Sequence, residues 1–172
     1  MTAMIIFAIL FVIIAICVVV KIQQNQEMER QRITNDIYSR GFLYYKDFEN
    51  RWIISSARKY GRGNGFKYQD GPGCYVITIY DHPIEYGEVD DYENVYVGQS
   101  VNMCQRVHAH FNGKGNGDVY ADIKYGKWVY VSLVPCEKQD MNRVEKELIA
   151  AFHATDSYNR TRGGARDRNY YN

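Results

Sequence analysis

Proline is scarce in this sequence and its cysteines are unpaired. Only 3 of the 172 residues are proline, which argues against a disordered, proline-rich linker protein. Cys17, Cys74, Cys104 and Cys136 are the 4 cysteines, and none belongs to a C-x-x-C pair. That excludes a zinc knuckle and a thioredoxin-type motif. Cys17 lies in an apolar run, and three scattered thiols do not make a disulfide framework, so a reducing compartment is expected. An excess of charge of one sign is missing too. The formal net charge is +1, and the whole-chain balance points to no partner. Repeats and low-complexity runs are absent.

The first feature present is an uncharged run, Ala3 to Val20, of 18 apolar residues. At 1.5 Å per residue it spans about 27 Å, close to the hydrocarbon thickness of a bilayer. No basic residue precedes it and no A-x-A cleavage site follows, so an anchor is expected rather than a removed signal. Lys21, Arg30 and Arg32 all follow the span, and the positive-inside rule then puts the C-terminal part in the cytoplasm.

Four regions are expected: a transmembrane anchor (1–20), a stalk or linker with a basic-aromatic segment (21–70), a folded domain (71–160) and a basic tail (161–172). Residues 1–70 carry ten Lys and Arg against six Asp and Glu, whereas 71–172 carry eleven against fourteen. In the stretch Arg51 to Lys67, Arg58, Lys59 and Arg62 are interleaved with Trp52, Tyr60 and Phe66. Such a cluster can bind nucleic acid, bind anionic lipid, or form a solvated face.

Strands are expected over Cys74 to Tyr80, Asn94 to Val97 and Lys127 to Val134, from β-branched and aromatic content. Gly98 ends the second strand, and Ser100 or Asn102 can cap a helix running to about Asn112. "GKGNGD" reads as a flexible loop, and Asp140 to His153 as a second helix. The fold expected is α/β (α+β): a small three-stranded mixed or antiparallel sheet flanked by helices, preceded by one transmembrane helix.

On the first domain helix, Met103, Val107 and Phe111 form the buried stripe, and Arg106 and His110 lie about 100° round, on its rim. A guanidinium there offers a fixed fork to a phosphate, and a histidine can move protons at neutral pH. On the second helix Glu145 shares a sector with Leu148, Ile149 and Phe152, whereas Glu147 is at the edge. A carboxylate among apolar residues is costly unless a cation compensates it, which favours Glu145 over Glu147 as a metal ligand. One carboxylate suffices for Mg²⁺, which keeps waters and takes substrate phosphate. Gly98 allows a tight turn, either for packing or to let backbone approach a phosphate; Asn159 can orient a site or cap a turn.

The pair "GCYVITIY" (Gly73 to Tyr80) and "VYVGQSVNMCQR" (Val95 to Arg106) resembles the GIY-YIG nuclease family. The two motifs stand as Gly73-Cys74-Tyr75 and Tyr96-Val97-Gly98; Arg106, His110, Glu145 and Asn159 follow in the family's order. The resemblance covers roughly Gly73 to Asn159. It implies a divalent-metal-dependent endonuclease, cleaving phosphodiester bonds of nucleic acid with activated water, and DNA is the expected substrate. It implies Mg²⁺ or Mn²⁺ at Glu145, Tyr75 or Tyr96 near the nucleophile, His110 as another proton acceptor, and Arg106 on the scissile phosphate. Gly98, Asn159, Arg58, Lys59 and Arg62 are the expected substrate-binding residues. The alternatives are a nucleic-acid-binding module without catalysis and a membrane-associated interaction protein reusing the fold.

Overall fold

The computed structural model describes residues 2–59, 70–84 and 89–160, with the backbone alone for 2–6, 8 and 53–59. The elements in chain order are α1 (Thr2–Arg40), β1 (Leu43–Tyr44), α2 (Tyr45–Lys59), β2 (Gly73–Tyr80), β3 (Asn94–Ser100), α3 (Met103–Phe111), α4 (Gly117–Lys124), β4 (Trp128–Pro135) and α5 (Met141–Ala151), followed by a 3₁₀ turn, Ala154–Asp156.

The sheet is antiparallel throughout, with strand order β1-β4-β2-β3. β2 is a central strand, and all eight of its residues are buried. Its β-branched and aromatic composition suits a strand covered on both faces. Alternation sends Cys74 and Val76 to one face, where Ile37 of α1 and Leu148, Ile149 and Phe152 close the core. Tyr75, Ile77 and Ile79 go to the other, against Phe48 of α2, Met103, Val107 and Phe111 of α3, and Val119 of α4. The domain is therefore three layers, helix on sheet on helix.

The α+β class is as expected, but the sheet has four strands rather than three. β1 is only two residues long, Leu43 opposite Val131 and Tyr44 opposite Tyr130, too short to leave a periodic signature. Two of its neighbours lie in what the sequence marks as stalk and linker, yet Ile37 and Phe48 are each only 1% exposed. Burying two such side chains contributes roughly 1.5–3 kcal/mol apiece, so the second half of α1, β1 and α2 belong to the folded unit.

β3 runs on through Gly98 to Ser100. The expected loop "GKGNGD" ends in a helix: the Asn116 side chain accepts hydrogen bonds from the backbone N–H of Asp118 (2.8 Å) and Val119 (3.3 Å), which starts α4. The expected tail 161–172 lies outside the described residues.

α1 is one helix of 39 residues. Its apolar part is long and apolar enough to cross a membrane, and no residue of that window is buried against the rest of the protein. Its far end docks through Ile33, Ile37 and Tyr38, and Arg30 contacts both Glu27 and His153.

Candidate active site

Tyr75 lies at the centre of the arrangement. β2 carries it toward α3, with its side chain 1% exposed, and its Oη is 2.8 Å from Nε2 of His110. The other ring nitrogen of His110, Nδ1, accepts the backbone N–H of Asn116 at 2.7 Å. A backbone amide can only donate, so Nδ1 carries no proton, and the proton of the neutral ring is on Nε2. His110 therefore donates to the Tyr75 oxygen. Burial, with the charge of Arg106 second, pushes the His110 pKa down to about 3.

The sequence puts His110 on the rim of α3; the structure buries it completely. The helix face turned to the sheet is wider than the Met103, Val107, Phe111 stripe and also holds Cys104 and His110. The expected role of proton acceptor does not fit this arrangement, because Nδ1 is taken and Nε2 is protonated. His110 is instead the group that orients Tyr75.

Tyr75 keeps its proton as well. Burial raises its pKa well above the usual phenol range, Tyr96 adds to the rise, and Arg106 opposes it. A phenol whose oxygen accepts from an imidazole directs its own O–H elsewhere, as a donor to water or to a ligand oxygen. Tyr96 completes a triangle of rings: its centroid is 6.3 Å from Tyr75 and 4.9 Å from His110, and those two are 5.5 Å apart. Of the three, Tyr96 alone is only partly buried.

Gly98 is directly opposite Tyr75 in the sheet register. A Cβ there would be 2.4 Å from the Tyr75 Oη. The glycine is thus the floor on which the phenol rests, the packing role that the sequence offered for it beside phosphate contact. The start of α3 is closed to an anion. Met103 N–H donates to the Gly71 carbonyl at 2.9 Å, and the Asp70 carboxylate accepts from Cys104 N–H (2.8 Å) and Gln105 N–H (3.1 Å). Asp70, over thirty residues earlier in the chain, caps this helix in place of Ser100 or Asn102.

Asn159 is buried and fully engaged. Its Oδ1 accepts the Val97 N–H and its Nδ2 donates to the Val97 carbonyl, both at 2.8 Å. It pairs with the outer edge of β3 as a neighbouring strand would, between the motif residues Tyr96 and Gly98. Of the two roles the sequence left open, orienting the strand that carries the motif or capping a turn, these bonds match the first.

Arg106, half-exposed on α3, acts electrostatically on both Tyr75 and His110. Glu145 reaches the same region from the opposite layer: its charge raises the Tyr75 pKa. It is half-buried on α5, and its Oε2 accepts from Gln99 Nε2 at 2.8 Å. Glu147 is paired to Arg143 at 3.0 Å. The structure thus brings Tyr75, Tyr96, Arg106 and His110 together on one face of β3, while Glu145 meets the same strand at Gln99 from the other face, near enough for its charge to act on Tyr75. Of the basic-cluster residues, Arg58 and Lys59 lie on the last turn of α2 with only their backbone described, and Arg62 lies outside the described residues.

Gln99, Asn116 and Asp70 are the participants that sequence reasoning missed. Gln99 had one available signal, its place immediately after Tyr96-Val97-Gly98. The other two depend on contacts between loops.

The donor set limits the metal that would fit. Among the described residues no group of three or more His, Cys, Asp and Glu side chains converges. A single half-buried carboxylate is a hard oxygen donor, suited to Mg²⁺ or Mn²⁺ completed by waters and ligand oxygens, and unsuited to a closed zinc site.

Compared with protein-family models, curated proteins and solved structures, the chain matches none.

Proposed function

We propose that the protein is a divalent-metal-dependent endonuclease that hydrolyses phosphodiester bonds in nucleic acid, with DNA the expected substrate, held at a membrane by α1 with its domain in the cytoplasm. The observation that carries this reading is the cluster of Tyr75, Tyr96, Arg106 and His110 on one face of β3, with Glu145 joined to Gln99 of the same strand from the other face. Their chemistry is complementary to a phosphodiester and an attacking water.

Arg106 supplies a permanent positive charge and a planar fork for the non-bridging phosphate oxygens. Tyr75, fixed by His110, presents an O–H that can donate to the nucleophilic water or to a phosphate oxygen. Tyr96, at the exposed corner of the ring triangle, is the residue through which substrate meets that O–H. Glu145 would hold Mg²⁺ or Mn²⁺, which supplies charge neutralisation and a bound water of lowered pKa. Neither Tyr75 nor His110 can take a proton in the arrangement described, so the protein's own residues orient and stabilise rather than act as a strong base. The cytoplasmic placement rests on Lys21, Arg30 and Arg32 following the apolar span.

The test is cleavage of supercoiled plasmid by the full chain in detergent with Mg²⁺ or Mn²⁺. Glu145→Ala is expected to abolish cleavage and Glu147→Ala to leave it unchanged. Undiminished cleavage by Glu145→Ala would overturn the assignment.

A further inference from the structure

We propose that Gln99 is a positioning residue for Glu145, a neutral amide clamp that aims the carboxylate; this rests on the endonuclease reading of Glu145 above.

Gln99 projects from a fixed point. It lies on β3 opposite Cys74 of the fully buried β2, two residues beyond Val97, whose peptide groups are held by Asn159. Its Nε2 has two hydrogens, and both are used. One goes to Glu145 Oε2 at 2.8 Å and the other to Asn142 Oδ1 at 2.8 Å. These acceptors lie three residues apart on one face of α5. The orientation of the amide follows from chemistry: turned over, its oxygen would face a carboxylate oxygen and a carbonyl oxygen, with no hydrogen between them. The donor on Oε2 restrains the Glu145 carboxylate from the β3 side.

The two glutamates of α5 show what the clamp achieves. Glu147 is held by Arg143, whose charge offsets its own. Gln99 adds no charge of its own while it restrains the Glu145 side chain. Partners of this kind around a metal ligand typically set metal affinity by 10–100-fold.

The experiment measures the Mn²⁺ dependence of plasmid cleavage by the full chain in detergent, for wild type, Gln99→Met and Asn142→Ala. Gln99→Met keeps length and shape and removes both donors. It should need about 10–100-fold more Mn²⁺ for half-maximal rate, with the plateau rate largely recovered at high Mn²⁺. Asn142→Ala should shift the midpoint the same way by less. A wild-type Mn²⁺ midpoint in Gln99→Met, or a fallen plateau with an unchanged midpoint, would overturn the proposal. If Gln99→Met fails to fold, the Asn142→Ala midpoint decides alone. If the wild type itself does not cleave, the endonuclease reading falls separately. Mn²⁺ binding by electron paramagnetic resonance, with a phosphorothioate duplex present, then tests the clamp: weaker binding in both Gln99→Met and Glu145→Ala supports it, and binding equal to wild type in Gln99→Met overturns it.

Discussion

Tyr75 stands directly over Gly98, so closely that a single added methyl would be 2.4 Å from its hydroxyl. The phenol cannot retreat, because it is buried and bonded to His110. Gly98→Ala is therefore expected to destabilise the fold by about 1–3 kcal/mol. It should also displace the Tyr75 hydroxyl, lowering cleavage at least tenfold. A thermal melt and the plasmid assay check the two effects together, and an unchanged melting temperature would contradict the packing described.

His110 makes stability depend on pH. Its folded pKa is about 3, against about 6.5 for a histidine in the unfolded chain. Between these values the unfolded state takes up a proton that the folded state refuses, so stability falls as pH drops from about 6.5 toward 3. The slope is about 1.4 kcal/mol per pH unit. His110→Gln should melt lower than wild type at pH 7 and lose less on going from pH 6.5 to 5. Parallel melting curves for the two proteins would mean that the ring is charged in the folded state.

Asn159 serves as one residue of a missing edge strand. Asn159→Asp keeps the acceptor for the Val97 N–H but loses the donor to the Val97 carbonyl, at a cost of about 1–3 kcal/mol. Asn159→Ala loses both. Amide hydrogen exchange reads the difference, with Val97 N–H protected in the Asp variant and exchanging faster in the Ala variant.

The folded unit begins well before the motif region. A chain starting at residue 23 keeps Ile37, β1 and Phe48 and should give a soluble, cooperatively melting domain. A chain starting at residue 70 lacks them. Losing the Phe48 side chain alone costs about 3–5 kcal/mol, a large share of an ordinary domain's 5–15 kcal/mol. That shorter chain should aggregate or lack a melting transition by circular dichroism.

β2, β3, β4, α3 and α5 were legible in the sequence because each has the length and periodicity that burial on one or two faces imposes. The Tyr75, Tyr96, Arg106, Glu145 set was named through the resemblance of its motifs to the GIY-YIG family, since tyrosines on strands and a cation on a helix carry no such signal by themselves. What was not legible depends on contacts that periodicity does not encode. β1 is a two-residue strand that exists because β4 has an edge to pair with. Asp70 caps a helix that starts more than thirty residues later. α4 buries only Val119 and starts at a glycine, so its sequence reads as loop. His110 looks like a solvated residue until Asn116 and Tyr75 are found on either side of its ring.

The unbroken course of α1 governs how the domain can search its surroundings. A domain on a flexible tether sweeps a hemisphere. Here the residues that would lie in a bilayer and the residues docked in the core, Ile33 and Ile37, belong to one helix. The intervening 21–32 form a mast of roughly 18 Å at 1.5 Å per residue. With the apolar part of α1 in a bilayer, such a mast would let the domain spin and tilt while holding it near the surface. Its reach would then be a thin layer parallel to that bilayer.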